Sequence, residues 1–378
     1  MLPILPDHDS PGVPRERRTC MRCDTLPVPI SGGGDLHCWF PTSHVANKMR
    51  AMLSGLGLRT MPTVAGGVAC AIPADSLDRV VAAFHAQLSE VERADTRALL
   101  TPMGAVLVTD DLARVESLSR FLAQASSQWL IELLREQRLA SFFQPIVLAS
   151  SPSTIYGHEA LLRGVGTDGA LITPGRMFGS ARDAGLLFQL DLAARRSAIA
   201  CAHANALRGK LFVNFAPTAI YDPASCLRST VAAVDQTSIA RSDVVFEIVE
   251  TERAHDPRHL RTILDFYRNA GFKVALDDVG SGYSSLNLIH ELRPDLLKLD
   301  MELIRGVDQD PYKAQIVANL FDVAGALGID TLAEGIETEG ELAWVTQHGA
   351  TYVQGFLIAR PAALPQTELA ARELAAAC

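Results

Sequence analysis

The chain has 378 residues, of which 48% are hydrophobic and 20% are charged, enough apolar residues for two folded domains. Its formal net charge of −9 and isoelectric point near 5.6 argue against a nucleic-acid polymer as partner, because proteins that bind such polymers usually carry a basic surface. The sequence has no run of about 18–20 apolar residues that would span a membrane, no signal peptide, and an odd number of cysteines, seven, so we expect a cytoplasmic protein with reduced thiols.

The N-terminal segment, residues 1–34, is rich in proline, arginine and glycine and is predicted to be a flexible tail. It contains the pair Cys20 and Cys23, and His37 and Cys38 follow about 14 residues later, a spacing related to that of zinc sites. Because the second half of this pattern lacks a C-x-x-C spacing, two interpretations stay open: a Zn²⁺ or redox site, and a pair of free thiols.

Residues 35–110 are predicted to form a small α+β domain. Their order of strand, helix, strand, strand, helix, strand is that of a ferredoxin-like sandwich. A helical pattern over 111–138 follows, of which 111–126 would be a linker helix into a second domain, 127–370. The predicted strands are Leu36–Phe40, 58–63, 67–72 and one near 104–109, and the predicted helices are 43–55 and 75–90.

From residue 127 to about 370, short apolar strands alternate with helical patterns. Alternation of this kind favours a parallel sheet, and about eight units over roughly 250 residues is the length of a TIM-like (β/α)8 barrel. A doubly wound open sheet is the alternative architecture, but no G-x-G-x-x-G follows a strand, so a dinucleotide-binding version of it is not expected. The clearest predicted helices are 190–206, 257–270, 311–327 and 337–348.

The strands of this region end in acidic or amide residues, most plainly at Asp277 and Asp278, which close an apolar run and precede a glycine-rich turn. In a barrel the C-terminal ends of the strands meet at one rim, so these side chains are expected to share a site. Carboxylate and amide oxygens suit Mg²⁺ or Mn²⁺, and the lack of His and Cys in the set argues against zinc there. The residues at or near strand ends are Glu159, Asn214, Glu247, Glu250, Asp277, Asp278, Lys298, Asp300, Glu334 and Gln354.

Eight motifs occur in order: Phe143–Val147, Glu159–Arg163, Val213–Pro217, Glu247–Glu250, Asp277–Ser285, Lys298–Asp300, Ala333–Thr338 and Gln354–Phe356. Together they resemble the EAL domain of bacterial cyclic di-GMP phosphodiesterases, over about residues 127–365. The resemblance implies a TIM-like barrel with one antiparallel strand. Val279 stands where this family usually has Phe, and Ser281 where it usually has Thr. Neither departure removes a polar ligand, but both belong to the loop expected to organise the second metal.

The resemblance also implies a division of roles at the rim. Two divalent cations, Mg²⁺ or Mn²⁺, would bridge an activated water and stabilise the leaving oxygen. Lys298 would orient that water and would also accept its proton if burial or neighbouring cations lower the pKa of the lysine. Asp300 on the same strand would hold Lys298, and Glu250 would anchor the loop after Asp278. The implied metal ligands are Glu159, Asn214, Glu247, Asp277, Asp278 and Glu334. The implied catalytic residues are Lys298, Glu159, Glu334 and Glu250, and the implied substrate-binding residues are Gln144, Leu162, Arg163, Asn214, Asp300 and Gln354.

The function that the resemblance implies is hydrolysis of cyclic di-GMP to linear pGpG, in a homodimer formed through the barrel and regulated by the N-terminal domain. A receptor that captures cyclic di-GMP without cutting it is the main alternative. A barrel lyase or aldolase that uses Lys298 as a Schiff base is a third. Two residues also have plainer interpretations, Asn214 as a turn or capping residue and Glu250 as an acid at a helix N-terminus.

Overall fold

The computed structural model describes residues 26, 30, 32–220, 222–249, 257–280 and 285–369. These residues form two sheets, one in each half of the predicted architecture. The N-terminal sheet consists of the strands Gly34–Trp39 (β1), Thr60–Pro62 (β2), Val68–Ile72 (β3), Arg97–Thr101 (β4) and Glu116–Ser117 (β5). Its helices are Ser43–Gly55 (α1), Leu77–Gln87 (α2) and Glu90–Asp95 (α3).

The N-terminal strands lie in the order β2–β3–β1–β4–β5, and every neighbouring pair is antiparallel. Helix α1 connects β1 to β2, and α2 and α3 connect β3 to β4, which is the predicted βαββαβ arrangement. Leu36 and Cys38, two apart on β1, point to the same face of the sheet. They share a buried cluster with Met49 of α1 and Phe84 of α2, so the core lies between the sheet and its helices.

The prediction of a last strand near 104–109 is wrong, because the fourth strand is β4 at Arg97–Thr101. The segment 104–109 is apolar in sequence, but Val106 is 84% exposed and makes no strand. β4 pairs with β1 along its whole length and buries Ala98 against the core. Pairing with the central strand therefore outweighs the β-branched composition of the later segment.

The helical pattern predicted over 111–138 is interrupted, and the linker helix predicted at 111–126 is shorter than expected. Ser117 begins it as a capping residue, since its Oγ accepts a hydrogen bond from the backbone N–H of Arg120. Phe121 then packs into the N-terminal core. In chain order the segment contains a 3₁₀ turn at Thr109–Arg114, β5, and the helices Leu118–Ser126 (α4) and Gln128–Arg135 (α5).

The second sheet is built from Leu139–Leu148 (β6), Ser151–Val165 (β7), Leu171–Ile172 (β8), Lys210–Asn214 (β9), Val244–Val249 (β10), Lys273–Val279 (β11), Leu296–Leu299 (β12), Asp330–Ala333 (β13) and Tyr352–Val353 (β14). Eight of them close into a barrel in the order β6–β14–β13–β12–β11–β10–β9–β7, because β6 also pairs with β7, and β8 adds to the edge of β7. β6 is antiparallel to both neighbours, and the other pairs within the ring are parallel. The predicted TIM-like barrel with one antiparallel strand is confirmed, and the open-sheet alternative is wrong.

The helices of the barrel region are Pro174–Ala184 (α6), Leu187–Ala204 (α7), Pro223–Cys226 (α8), Arg228–Asp235 (α9), Pro257–Asn269 (α10), Ser285–Leu292 (α11), Met301–Ile304 (α12), Pro311–Leu327 (α13) and Glu339–Gln347 (α14). The four helices predicted most clearly are α7, α10, α13 and α14. Helix α13 shows why its bounds were predictable: Asp310 caps it, Pro311 occupies its first position, and Gly328 ends it in the left-handed conformation at φ +68°. Among the described helices, none is long and apolar enough to cross a membrane.

Inside the barrel, side chains lie in layers because every second residue of a strand points inward. The deeper layer is apolar, and the next layer, two residues further along each parallel strand, is polar. On the antiparallel strand β6 the same step runs backwards, from Ile146 to Gln144. The apolar layer contains Ile146, Phe212, Val245, Ala275, Leu296, Leu332 and Tyr352. The corresponding polar residues are Gln144, Asn214, Glu247, Asp277, Lys298, Glu334 and Gln354.

Candidate active site

Lys298 lies at the centre of the polar layer, with its side chain 1% exposed. Its Nζ atom is 2.7 Å from Oε1 of Glu247, 2.8 Å from Oε1 of Glu334 and 2.9 Å from Oδ1 of Asp277. Oε1 of Glu159 lies 4.0 Å away. Each of these residues belongs to, or directly follows, a different strand, so closure of the barrel is what assembles the group.

Glu159, on β7, is held by two side-chain amides. Nδ2 of Asn214 donates to its Oε1 and Nε2 of Gln354 donates to its Oε2, each at 3.0 Å. A hydrogen bond to an ionised carboxylate is stronger than one between neutral groups. The two amides therefore fix the orientation of Glu159. Asn214 faces the site, so the plainer interpretation of Asn214 as a turn or capping residue does not describe its side chain.

The consecutive acids of β11 lie where the strand is irregular. The register with β12 shifts between Leu276 and Val279, and Asp278 has φ +56°, which is uncommon for a residue other than glycine. An irregularity of this kind re-aims side chains that would otherwise point to opposite faces. Ligand atoms of Asp277, Asp278 and Glu334 accordingly lie within 4.8 Å of one another. The sequence pattern predicts that the strand ends at Asp277 and Asp278. In the structure the strand continues through both acids to Val279.

The site concentrates negative charge in a buried place. Five carboxylates around one ammonium leave a formal charge of −4 when all are ionised. Burial raises the pKa of Glu247 well above its usual value, and the attraction of Lys298 offsets only part of this. Burial likewise raises the pKa of Asp277 and, strongly, that of Glu334. Burial together with the charge of Asp277 raises the pKa of Asp278 to about 6.

Lys298 is a cation in this arrangement. Burial acts to lower its pKa, but the neighbouring carboxylates, Asp277 first, outweigh burial and raise the pKa well above its usual value. A protonated amine has no free electron pair with which to attack a carbonyl group. The aldolase alternative, which needs a neutral lysine amine, therefore has no support from the site.

The donor set fits divalent cations. Oε2 of Glu247 is buried and accepts no hydrogen bond from any residue that the structure describes. A buried polar atom without a partner is costly and calls for an explanation such as an ion. Asp277, Asp278 and Glu334 offer three further oxygen ligands close together. Since every donor is an oxygen, the set suits Mg²⁺ or Mn²⁺ better than Zn²⁺.

Gln144 and Asp300 lie beside this group. Gln144 is opposite Glu159 in the β6–β7 register, and its Nε2 donates to the backbone carbonyl of Ala359 at 3.2 Å. Oδ1 of Asp300 accepts from the backbone N–H of Glu302 at 2.8 Å and so caps helix α12. The prediction that Asp300 holds Lys298 is wrong, because carboxylates from three other strands pair with Lys298 more closely.

Leu162 and Arg163 lie further along β7. Leu162 is buried in a cluster with Leu133 and Met177. Nη1 of Arg163 donates to the backbone carbonyl of Leu162 at 2.8 Å, and its guanidinium lies 5.3 Å from the centre of the Phe142 ring. The structure thus leaves Arg163 outside the carboxylate group, and its contact with a substrate stays a prediction.

Four residues named in the sequence analysis, Cys20, Cys23, Glu250 and Ser281, lie outside the described residues. The Zn²⁺ or redox site and the anchoring role of Glu250 therefore stay predictions.

A cavity of about 310 Å³ adjoins Asn214, between the barrel and helices α6 and α7. Its polar lining includes Arg182 and Asp191, and Asp191 is a buried residue that the sequence analysis missed. A signal for it exists in the sequence. Asp191 and Arg195 are four residues apart on a helix whose neighbouring positions, such as Leu190, are apolar, so the two can pair on a buried face.

The family model described as the EAL domain matches residues 127–361, more than half of the chain. The chain belongs to the EAL domain family. A relative in Pseudomonas aeruginosa, the bifunctional diguanylate cyclase/cyclic di-GMP phosphodiesterase MucR, is 32% identical over 259 residues. The match covers 66% of this chain and 37% of that protein. The chain spans less than half the length of the curated relatives that it matches first.

Solved structures of EAL proteins have the same fold. A standalone EAL protein from Vibrio cholerae O395, in its cyclic di-GMP-bound form, is 34% identical with a TM-score of 0.56, over 61% of this chain and 95% of that chain. BlrP1 of Klebsiella pneumoniae, solved as a manganese and cyclic di-GMP complex, is 24% identical with a TM-score of 0.54. That match covers 87% of this chain and 96% of BlrP1, so the likeness in fold extends beyond the EAL domain into the N-terminal sheet.

Proposed function

We propose that this EAL domain hydrolyses cyclic di-GMP to linear pGpG with Mg²⁺ or Mn²⁺. The observation that carries the proposal is the group of five carboxylates at Lys298, of which three are buried (Glu159, Glu247 and Asp277) and two are partly buried (Asp278 and Glu334). A phosphodiester is anionic, so a site of this charge needs cations before it can accept one. The choice of cyclic di-GMP as the proposed substrate rests on relatives whose names include cyclic di-GMP phosphodiesterase.

The residues present would hold the cations and orient the substrate. Cations bound there would polarise the phosphodiester and lower the pKa of a bound water. Asn214 and Gln354 keep Glu159 in one orientation through their hydrogen bonds. Lys298 supplies a fixed positive charge and would orient the attacking water. The proposed ligands are Glu159, Asn214, Glu247 and Asp277 for one cation, and Asp277, Asp278 and Glu334 for the other.

The direct test incubates the purified full chain with cyclic di-GMP and Mg²⁺, Mn²⁺ or EDTA, and separates the products by chromatography. We expect pGpG with either metal and none with EDTA. Glu247→Gln keeps the size of the side chain but removes its charge, so it should abolish the product. Glu136→Gln is the matched control, because the exposed carboxylate of Glu136 pairs with Arg138 outside all eight motifs.

A measurement of cyclic di-GMP binding on the same samples separates the enzyme from a receptor. Binding of cyclic di-GMP by the wild-type chain without any product would favour the receptor. Neither binding nor product, in the presence of Mn²⁺, would remove both functions.

We propose further that the N-terminal domain regulates the barrel through helix α4. One side of this helix places Phe121 in the N-terminal core. Three residues further along the helix, Nε2 of Gln124 donates to the backbone carbonyl of Ala184, the last residue of α6, at 3.3 Å. Helix α6 contributes Phe178 to the wall of the cavity beside Asn214. A shift of the N-terminal sheet would therefore move this wall.

The double substitution Arg120→Ala/Gln124→Ala tests the contact between α4 and α6. Arg120 packs its guanidinium against Gly185, which has no side chain at that point. We expect the Michaelis constant for cyclic di-GMP to change several-fold while the melting temperature stays near that of the wild type. Glu132→Gln, on the exposed face of α5, is the control. Unchanged kinetics in the double variant would show that regulation does not pass through this contact.

We also propose that the chain forms a homodimer through the barrel. Helix α13 exposes large apolar side chains, with Tyr312 82%, Ile316 50% and Leu327 60% exposed, at spacings that place them along one side of the helix. Light scattering should report a dimer for the wild type and a monomer for Ile316→Asp. Val64→Asp, at an exposed apolar position of the N-terminal domain, is the control. A monomeric wild type at micromolar concentration would refute this proposal.

A further inference from the structure

Arg195 of helix α7 is the largest fully buried side chain in the described part of the protein, at 1% exposed. Its Nη2 and Nε atoms both donate to Oδ2 of Asp191, at 2.7 and 3.1 Å. Nη1 donates to the hydroxyl of Thr230 on helix α9. A buried ion pair adds little net stability, because the loss of hydration offsets the attraction. Stability alone therefore does not explain why Asp191 and Arg195 are buried together, and we ask which neighbouring groups the pair holds in place.

Asp191 connects this pair to the candidate metal site. Its second oxygen, Oδ1, accepts a hydrogen bond from the backbone N–H of Ala216 at 2.8 Å. Ala216 is two residues after Asn214, where the chain leaves strand β9, and the side chain of Asn214 donates to Glu159. The hydrogen bond from Ala216 fixes the direction of the backbone as it leaves the strand. A movement of Asp191 would therefore also displace Asn214.

The aromatic side chains behind the neighbouring strand touch the same guanidinium. Nη1 of Arg195 lies 3.5 Å from the hydroxyl of Tyr267, whose ring stacks on Phe246 with centres 4.0 Å apart. Phe246 directly precedes Glu247 on β10. Phe215 packs edge-on against both rings, at 6.0 and 5.3 Å. Arg195 thus adjoins the packing that supports two proposed ligands, one on β9 and one on β10.

We propose that Arg195 is a positioning residue of the metal site: it fixes Asp191, which fixes the Ala216 amide, which holds Asn214 against Glu159. The inference rests on the proposed function in that Glu159 and Asn214 are taken to bind a cation. Residues that orient metal ligands from behind typically change metal affinity about 10- to 100-fold when they are substituted. We expect a change of that size for Arg195.

The test measures Mn²⁺ binding to the full chain by electron paramagnetic resonance, without substrate. Arg195→Met removes the charge but keeps an unbranched side chain, and we expect it to weaken Mn²⁺ binding at least about tenfold. It also leaves Asp191 buried and unpaired, which should lower the melting temperature. Arg241→Met is the matched control, because Arg241 likewise donates two hydrogen bonds to one aspartate, Asp235, but away from the site.

The double variant Asp191→Asn/Arg195→Met separates positioning from stability. It contains no unpaired charge and still offers an oxygen to the Ala216 amide, so the melting temperature should return toward that of the wild type. Mn²⁺ binding should stay weak, because no guanidinium holds the new amide in place. Hydrogen exchange of the peptide that contains Ala216, measured in metal-free protein, should also stay faster than in the wild type.

Three outcomes would overturn the inference. The first is an Mn²⁺ affinity of Arg195→Met within twofold of that of the wild type. The second is a double variant that recovers its Mn²⁺ affinity together with its melting temperature. The third is a wild type that binds no Mn²⁺. Failure of the proposed activity would look different. A wild type that binds Mn²⁺ but does not cut cyclic di-GMP would remove the enzyme and leave the comparison of variants intact.

Discussion

Asp278→Asn should stabilise the metal-free protein at neutral and alkaline pH. Burial raises the pKa of Asp278 from 3.8 to about 6, so ionising this carboxyl group destabilises the folded state. The difference corresponds to about 3 kcal/mol at about 1.4 kcal/mol per pKa unit. Solvent screening of a carboxylate that is only partly buried reduces it to about 1–2 kcal/mol. Asparagine also tolerates the left-handed backbone at φ +56°, so little strain is added.

The sign of the pH dependence follows from the raised pKa. The stability that the protonated Asp278 contributes is fully present below pH 3.8 and is lost progressively as the pH rises from there through about 6. The advantage of the variant should therefore be about half of its full size at pH 5 and complete at pH 8. Urea unfolding in EDTA at both pH values measures it, with Asp322→Asn on the exposed face of α13 as control. Saturating Mn²⁺ should reverse the order, because the ion stabilises the protein that binds it more tightly. A wild type more stable than Asp278→Asn in EDTA at pH 8, or an equal difference at both pH values, would refute the reasoning.

Three further substitutions have definite expected outcomes. Glu159→Ala should abolish metal-dependent turnover, and product formation with Mg²⁺ near the wild-type rate would contradict the proposed ligand set. Glu250→Ala should shift the Mg²⁺ dependence of the rate to higher concentration, and an unchanged Mg²⁺ titration would count against its anchoring role. Gly335→Ala would place a Cβ atom 2.3 Å from Cβ of Met301 at φ +70°, so it should lower activity and cost about 1–3 kcal/mol in urea unfolding. Gly349→Ala, at φ +97° in open space, shares the backbone strain but should keep activity, and equal activity of both variants would exclude the contact as the cause.

Much of the fold could be predicted because its signals are local. Helix α13 has a capping acid, a proline at its start and a left-handed glycine after its end, and its predicted bounds agree with the structure. The wrong predictions concern segments whose structure depends on pairing with strands far apart in the sequence. The apolar segment 104–109 has a strand-like composition, but β4 is the segment that pairs with the central strand β1. A single sequence contains no direct record of that pairing.

The candidate site was predictable as a set of residues but not as a geometry. Polar residues at the ends of parallel strands must converge in a barrel, so the grouping of Glu247, Asp277 and Glu334 followed once the barrel was assumed. Two features did not follow. The shifted register that turns Asp278 toward the others depends on β12, and the pair of Asp191 and Arg195 depends on which face of α7 is buried. Both are set by packing between elements far apart in the chain.

The protonation state of Lys298 determines which role this residue can have in hydrolysis. A lysine accepts a proton only if its pKa is lowered, and in the metal-free site the carboxylates raise it. Those carboxylates are also the proposed metal ligands, so Lys298 and the cations compete for the same oxygens. We therefore expect Lys298 to act as a fixed cation that orients water.

On this basis Lys298→Met should lower kcat about 10²- to 10³-fold with little loss of affinity for cyclic di-GMP. Lys298→Arg, which keeps a charge that cannot be removed at accessible pH, should retain more activity than Lys298→Met. If proton acceptance were the essential step, both variants would be equally inactive, and the wild-type rate at saturating Mn²⁺ would rise with pH along a limb that both variants lack.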